Sequence, residues 1–391
     1  MRYEAHGNGG PPAQPLAGVR VLDLTQYVSG PYCTQILADL GATVLKVERP
    51  GGGDVYRSQG PVFIEGESVS FLALNRGKRS IVLDLRDEQD RAELMSLAGE
   101  ADVLVENFKP GTLARYGLDY ESVAAEYPAL VYCSISGFGQ RGPLATEGAY
   151  DLSIQALSGI LSLTGHHGQP PAKVPVAALD FGSALYGVIG ILSALRMRDE
   201  TGRGQWVQTS LLETALAWLS MHITSFLAGG EEPARQGTRS PFFAPYEAYA
   251  TADGHLVVVG TGGDGGWQAF CRAIDSPELI DDPRFVTNSD RVANAEALRM
   301  AIEQVMRSQP TGFWIERMRS ERVPFAPVQT LPEVLASEQV AALASIGELA
   351  HPTAGEVPLV RLPLTLSGAE TTASQPPPEL DADATLRFGP S

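Results

Sequence analysis

The chain has 391 residues, 44% hydrophobic and 19% charged, so it is long enough for two domains with separate cores. Its 29 Lys and Arg residues are outnumbered by 46 Asp and Glu, and the formal net charge of -17 argues against a nucleic acid partner. The three cysteines are scattered, which argues against a disulfide scaffold or a structural zinc site.

The N-terminal segment, residues 1–15, is rich in Gly, Pro and Ala and lacks the basic and apolar regions of a signal peptide. We interpret it as a flexible tail. No uninterrupted apolar run approaches about 18 residues, the length that a membrane span needs. We therefore expect a cytoplasmic protein without a membrane partner.

The first half of the chain alternates short apolar runs with helical patterns. Strands are predicted at residues 19–24, 43–47, 80–85, 102–105, 130–135 and 205–209. Helices are predicted at residues 29–40, 88–98, 150–164, 181–198 and 211–227, with short ones near Leu113 and Ser122. This alternation is typical of βαβ units and predicts an α/β fold with an open, mainly parallel sheet covered by helices on both faces. Ligands of such sheets bind beyond the carboxyl ends of the strands.

A change of composition at residues 229–240 marks a domain boundary, because Gly, Glu, Pro and Arg replace the apolar periodicity. A hairpin is predicted beyond it at residues 246–250 and 255–259. Helices follow at residues 267–274, 291–307 and 311–319, and short strands and proline-rich loops fill the tail from about Glu348.

Asp180 is the only acidic residue in the apolar stretch of residues 174–195. At the N-cap of the helix that follows, its carboxylate would accept hydrogen bonds from free amides, and the helix dipole would favour the ionised form. Asp180 is therefore either a plain helix cap or a carboxylate nucleophile at the floor of a site. The local sequence leaves both interpretations open.

Two glycine-rich stretches resemble phosphate-binding loops. Residues 260–265 fit GxGxxG, with Asp281 and Asp282 about 20 residues further on. The preceding strand belongs to a hairpin and has no parallel partner, so we interpret the stretch as a turn and expect no nicotinamide cofactor. Residues 51–53 follow a strand but lack the Lys-Ser/Thr pair of a P-loop.

Five basic residues fall in or near the first half of the sheet: Lys46, Arg49, Arg79, Arg86 and Arg115. They are either ordinary surface ion pairs or a pocket for a polyanionic ligand such as a nucleotide.

Several long segments, in order, resemble the class III CoA-transferases, also called the CaiB/BaiF family, from about Pro15 to the C-terminus. The resemblance is carried by LAGVRVLDLTQYVSGPYCTQILADLGATVLKVERPGGGD, NRGKRSIVLDLR, ADVLVENFKPGTLARYGL, YCSISGFGQRGP, AYDLSIQALSG and ALDFGSALYGVIGILSALRMRDETGRGQ. It implies a Rossmann-like open parallel sheet in a large domain, a smaller α+β domain, and an interlocked homodimer. The large domain would comprise residues 16–228 completed by about 340–391, with linkers and the small domain at 229–339.

The resemblance also assigns the site. Asp180 matches the nucleophilic aspartate. The coenzyme A contacts that it implies are Val28, Ser29, Arg49, Leu83, Asp84, Leu85, Arg86, Asn107, Phe108, Arg115, Tyr116 and Tyr150. Some members carry Gln where Val28 stands. A covering loop would fall at Gly237, Thr238, Arg239 and Ser240, where Arg239, with Arg235 nearby, could hold a second substrate carboxylate by a bidentate pair.

The activity implied is transfer of CoA from an acyl-CoA such as succinyl-CoA to a carboxylic acid, most simply a dicarboxylate. It proceeds through an aspartyl anhydride and an aspartyl-CoA thioester, and needs no ATP, metal or nicotinamide. One alternative is an α-methylacyl-CoA racemase of the same fold, but Tyr150 stands where that enzyme has a histidine base, and tyrosine has an ordinary pKa near 10. The other is a non-catalytic CoA-binding protein, against which Asp180 argues.

Overall fold

The computed structural model describes residues 14–260, 263–384 and 388. The predicted tail up to residue 13, and Thr261 and Gly262 of the GxGxxG stretch, lie outside the described residues. The chain forms two compact units. The larger comprises residues up to 160, 174–231 and those from 340 on, and the smaller comprises residues 161–173 and 232–339.

The bounds of the elements are as follows. The strands are β1 Arg20–Asp23, β2 Thr43–Glu48, β3 Phe63–Ile64, β4 Glu67–Ser68, β5 Lys78–Val82, β6 Val103–Glu106, β7 Val131–Ser136, β8 Trp206–Ser210, β9 Tyr246–Ala250, β10 His255–Val259, β11 Phe325–Pro327, β12 Ile346–His351 and β13 Gly355–Val360. The α-helices are α1 Ser29–Asp39, α2 Val69–Leu72, α3 Glu88–Glu100, α4 Tyr120–Glu126, α5 Asp151–Leu157, α6 Ile160–Leu163, α7 Ala178–Thr201, α8 Leu211–Trp218, α9 Ser220–Leu227, α10 Gly263–Ala273, α11 Asn288–Ala293, α12 Ala295–Met306, α13 Thr311–Ser320, α14 Leu331–Leu335 and α15 Glu338–Leu343.

The larger unit is built on a six-stranded sheet of order β5-β2-β1-β6-β7-β8, in which every neighbouring pair is parallel. Successive side chains of a strand point to opposite faces, so Val21 packs in one core with α1 and α7, while Leu22 packs in another with α3 and α4. Burial on both faces explains why these strands are continuous apolar runs in the sequence. The predicted open parallel α/β sheet is confirmed.

The strand order reverses between β1 and β6, because β2 and β5 lie on one side of β1 while β7 and β8 lie beyond β6. In open α/β sheets the crevice at such a reversal is the usual ligand site. Here the loops that follow β1 and β6, residues 24–28 and 107–112, border it.

Several predicted elements have different bounds. The strand predicted at residues 80–85 is β5, Lys78–Val82, and residues 83–86 leave the sheet as a loop. Three helices predicted as continuous are each two helices. The predicted helix at residues 150–164 breaks at Gly159, which has a φ of 93°. The predicted helices at residues 211–227 and 291–307 break at Leu219 and Asn294, whose backbone angles are not helical.

Helix α7 is the longest element and the core helix of the larger unit, with Val188, Ile191 and Ala194 buried against the sheet. By length and composition it could cross a membrane, whereas the sequence predicted no such segment. Half of its most apolar window is buried inside the protein, and a core helix meets the same criterion, so this is weak evidence for a span.

The smaller unit contains an antiparallel sheet of order β11-β10-β9 and its own core, which includes Trp267, Phe270 and Ile302. In the described residues β10 pairs only with antiparallel neighbours. The stretch of residues 260–265 therefore does not follow a parallel strand, as its interpretation as a turn requires.

Candidate active site

Asp180 lines a cavity of about 410 Å³ at the crevice where the strand order reverses. The loop after β1 contributes Gln26 to Val28, and α1 contributes its first residue, Ser29. The loop after β6 contributes Asn107 to Pro110 and Thr112. Tyr56 and Tyr150 complete this side of the lining. Fold and cavity thus bring together Asp180 and five of the residues assigned to coenzyme A: Val28, Ser29, Asn107, Phe108 and Tyr150.

The predicted cap role of Asp180 is wrong, because α7 begins at Ala178 with Ala177 as its N-cap. Asp180 is therefore the third residue of the first turn. The free amides are capped from another helix: Oδ2 of Asp151 accepts hydrogen bonds from the backbone N–H of Leu179 at 2.7 Å and of Asp180 at 3.4 Å. This arrangement leaves the carboxylate of Asp180 free to face the cavity.

The sequence predicted that the helix dipole would favour the ionised form of Asp180, but the pKa of Asp180 is raised. Burial, and then the negative charge of Asp151, raise the pKa of Asp180 to about 7. A carboxylate with a pKa near neutrality is more basic than an exposed one, and it is poised for reaction near physiological pH.

This shift predicts a pH dependence of the first chemical step. Only ionised Asp180 can attack, so kcat/KM for the acyl-CoA donor should rise with pH through about 7 and level off above it. Asp151→Asn keeps an oxygen that can accept the Leu179 amide but removes the charge, so the rise should move to lower pH. Initial rates at low donor concentration check both. A flat profile through neutrality, or one that Asp151→Asn leaves in place, would contradict the assignment.

A cluster of three tyrosines forms one wall of the same cavity. Tyr27 packs edge-to-face on Tyr56 and Tyr150, with ring centroids 5.6 and 5.8 Å away. Its backbone has a φ of 67°, which is strained for a tyrosine, and its N–H donates to Oδ1 of Asp54 at 3.3 Å. Tyr27 falls in the strand-end segment at which the sequence placed ligand binding, but its positive φ has no sequence signal. Tyr56 was not predicted.

The loops after β1 and β6 are joined directly. The side-chain oxygen of Asn107 accepts from the Gln26 N–H at 3.0 Å, and its amide nitrogen donates to the Gln26 carbonyl at 2.7 Å. The carboxyl group of buried Glu106 accepts from the Phe108 N–H at 2.8 Å, and burial raises the pKa of Glu106 to about 7. These hydrogen bonds hold the backbone of Asn107 and Phe108 in place. Gln26 and Glu106 lie at the carboxyl ends of β1 and β6, the strand ends at which the sequence placed ligand binding, but neither was assigned an individual role.

An adjoining cavity of about 350 Å³ is lined by six of the remaining predicted coenzyme residues, Arg49, Leu83, Asp84, Leu85, Arg86 and Tyr116, and again by Phe108. Gln26, Phe108 and Thr112 line both cavities, so the two are neighbours on the same loops. Arg115 lies in the turn of Leu113–Tyr116 and lines neither cavity.

The five basic residues singled out in the sequence have different environments. Arg49 and Arg86 line the adjoining cavity, where Arg86 pairs with Asp84 at 2.8 Å. Arg79 donates to the carbonyl of Phe388 at 2.9 Å. Lys46 is fully buried in an ion pair with Asp54 at 2.9 Å, so its interpretation as a surface ion pair or ligand contact is wrong.

A second buried lysine stabilises the loop after β1. Nζ of Lys78 donates to Asp23 at 3.0 Å, to the Pro31 carbonyl at 2.9 Å and to Asn75 at 2.8 Å. Burial tends to raise the pKa of Asp23, but Lys78 and Lys46 outweigh it and hold the value at about 2. Through Lys78, Asp23 at the end of β1 is connected to Pro31 in the first turn of α1. Residues 24–28 form the loop between β1 and α1.

The predicted covering loop lies in the smaller unit. The N–H of Gly237 donates to the Gly165 carbonyl at 2.9 Å, and the hydroxyl of Thr238 accepts from the Ala248 N–H at 3.0 Å. Thr238 and Arg239 line a cavity within this unit.

Among the described residues, no group of three or more His, Cys, Asp or Glu side chains is arranged to hold a metal ion. The described residues lining the Asp180 cavity also include no histidine. Tyr150, which the sequence resemblance places where a racemase has its histidine base, is 66% exposed. The described lining therefore provides no His to pair with an Asp, as the racemase alternative would require.

A doubly wound α/β sheet carries a partly buried carboxylate at its switch point, beside a cavity lined by two arginines, and this arrangement suits an enzyme that uses a carboxylate nucleophile on an anionic substrate. Residues 16–384 match CoA-transferase family III, and the chain belongs to this family. It is a class III CoA-transferase, as the sequence resemblance indicated.

Similarity to named proteins supports the same assignment. The chain is 40% identical over 372 residues to acetyl-CoA:oxalate CoA-transferase of Acetobacter aceti, covering 95% of this chain and 94% of that protein. It is 36% identical over 372 residues to succinyl-CoA:glutarate CoA-transferase of Homo sapiens, covering 95% and 85%. A crystal structure of a CaiB/BaiF family protein from Brucella suis superposes with a TM-score of 0.83 at 39% identity, covering 95% and 97%.

Proposed function

We propose that the protein transfers CoA from a short acyl-CoA, such as succinyl-CoA, to a dicarboxylic acid, with Asp180 as the nucleophile. The observation that carries this proposal is the position of Asp180 at the switch point of the sheet, in a cavity that adjoins the groove of Arg49, Arg86 and Tyr116. The relatives named for oxalate, and for succinyl-CoA and glutarate, support small dicarboxylic acids as the substrate class.

The proposed reaction has two matched halves. The Asp180 carboxylate attacks the thioester carbonyl carbon, the C–S bond breaks, and a mixed anhydride and the CoA thiolate form. The thiolate then attacks the Asp180 carbonyl carbon, which releases the donor acid and leaves an Asp180–CoA thioester. The acceptor carboxylate repeats the two steps in reverse order, so one thioester replaces another and neither ATP nor a redox cofactor is consumed.

The proposed coenzyme contacts divide between the two cavities. The adenine and ribose-phosphate end of CoA would lie against Arg49, Asp84, Arg86 and their neighbours Leu83 and Leu85. The thioester end would reach Val28, Ser29, Asn107 and Tyr150 beside Asp180, with Phe108 and Tyr116 between. Arg115 lines neither cavity, and its contact with CoA stays a prediction from the resemblance. The guanidinium groups of Arg49 and Arg86 suit the phosphates of CoA, because guanidinium groups bind phosphates in a bidentate manner.

We further propose an interlocked homodimer in the cytoplasm. Helices α7, α8 and α9 expose large apolar side chains, including Ile189 at 59%, Met221 at 57% and Leu227 at 77%. Large apolar side chains exposed on neighbouring helices are typical of an interface. The three unpaired, buried cysteines suit a reducing compartment. Light scattering should give twice the chain mass of 41.7 kDa.

A panel of acids tests the proposed function. The protein is incubated with succinyl-CoA or acetyl-CoA and with mono- and dicarboxylic acids in turn, and CoA products are identified by mass spectrometry. We expect new acyl-CoA products with C2 to C6 dicarboxylic acids. Deuterium exchange at the α-carbon of an acyl-CoA, without any CoA transfer, would favour the racemase instead. Binding of CoA with neither reaction would favour the non-catalytic alternative.

A further inference from the structure

Glu106 is a buried acidic residue at the carboxyl end of β6 that the proposed mechanism does not use. Its side chain belongs to a residue that is only 7% exposed, and no basic side chain in the described part of the chain forms an ion pair with it. Such a carboxyl group is costly to the fold unless its oxygens accept hydrogen bonds.

Two hydrogen-bond donors supply the Glu106 carboxyl group. Ser134 is the residue paired with Glu106 in the register of β6 and β7, and its hydroxyl donates to the carboxyl group. The same hydroxyl oxygen accepts from Nε1 of Trp206 on β8 at 3.0 Å, which leaves its proton for Glu106. The second donor is the backbone N–H of Phe108 at 2.8 Å. Glu106 thus connects the interior of the sheet to the loop after β6.

Phe108 lies at the junction of the two cavities, because it lines both the cavity of Asp180 and the adjoining one. Asn107, the residue before it, also lines the Asp180 cavity and exchanges two hydrogen bonds with Gln26. The two neighbours are therefore held by separate contacts: Asn107 by the loop after β1, and Phe108 by the carboxyl group of Glu106.

We propose that Glu106 is a positioning residue for coenzyme A, because its bond to the Phe108 N–H holds Phe108 where the coenzyme passes from one cavity to the other. This inference rests on the proposed function, which places CoA along both cavities. Glu106 itself lines neither cavity, so it acts through Phe108. A contact that serves the ground state and the transition state equally changes KM and leaves kcat alone.

Glu106→Met tests the assignment in the full-length enzyme, since methionine has a similar size and no strong acceptor. KM for succinyl-CoA and Kd for CoA should both rise about 10-fold or more, the effect of one lost hydrogen bond to a carboxyl group. The kcat at saturating succinyl-CoA should stay within about threefold of wild type. Initial rates and titration calorimetry with CoA measure the three quantities.

Two conservative variants separate the reach of the side chain from its charge. Glu106→Gln loses the charge but keeps an oxygen within reach of the Phe108 N–H, so KM and Kd should stay within about fivefold of wild type. Glu106→Asp keeps the charge but is one methylene shorter, so KM and Kd should rise as in Glu106→Met. The aspartate variant also decides the question if Glu106→Met fails to fold.

Glu121→Met is the matched control, because Glu121 is an exposed glutamate of α4 in the same unit, and it should retain wild-type values. Circular dichroism and melting temperature establish that the variants fold.

The outcomes separate the inference from the proposed function. If wild type transfers CoA but Glu106→Asp leaves KM and Kd unchanged, or lowers kcat alone, or is less impaired than Glu106→Gln, the inference is overturned and the proposed function stands. If wild type binds CoA but transfers it to no acid, the proposed function is overturned, and the Kd values alone decide the inference. If wild type does not bind CoA, both are overturned.

Discussion

Asp180→Ala should abolish turnover, lowering kcat by about 10⁴-fold or more, since no other group in the mechanism can carry the acyl group and the CoA. The fold should persist. Asp180 is the third residue of α7, and the amides at this end of the helix are capped by Asp151 and not by Asp180 itself. CoA binding should also persist, because Arg49 and Arg86 line the adjoining cavity. Steady-state rates, the melting temperature and calorimetric titration with CoA measure the three properties.

Asp199→Ala provides the control on the same helix, because Asp199 is an exposed aspartate in its last turn. It should retain wild-type rates. If Asp180→Ala kept more than about a tenth of wild-type turnover, where a lost nucleophile costs several orders of magnitude, another residue would have to be the nucleophile.

Lys78→Met should produce the largest loss of stability, about 3–5 kcal/mol in the free energy of unfolding, because it leaves Asp23 as a poorly compensated buried charge. Both side chains are fully buried, and Nζ of Lys78 also satisfies the Pro31 carbonyl and the side chain of Asn75. Urea titration followed by circular dichroism measures the change.

The exposed Lys173 allows a matched Lys→Met control, which should change stability by less than about 0.5 kcal/mol. Removing both charges of the buried pair, with Asp23→Asn and Lys78→Met together, should cost less than the sum of the single changes. Strict additivity would mean that the two side chains do not interact, contrary to their 3.0 Å separation.

The sheet could be predicted because parallel strands buried on both faces are apolar runs, and β1, β2, β6, β7 and β8 all fall within one or two residues of the predicted positions. The position of Asp180 on a long apolar helix was likewise evident. Its role as a cap was misjudged because the true cap, Asp151, lies on another helix, and a tertiary hydrogen bond leaves no local pattern.

The buried lysines show the same limit. A lysine near the end of a strand suggests a position at the surface or a ligand contact. Only the fold shows that Lys46 forms an ion pair with Asp54, and that Lys78 pairs with Asp23, which is 55 residues away in the chain.

Covalent loading of Asp180 is the claim on which the whole account depends, and trapping during turnover tests it most directly. Wild-type enzyme is given an acyl-CoA donor, quenched with hydroxylamine, digested, and sequenced by tandem mass spectrometry. We predict a hydroxamate on Asp180, absent without donor and absent in Asp180→Ala. An enzyme that turns over while the label falls on another side chain, or on none, would contradict the account.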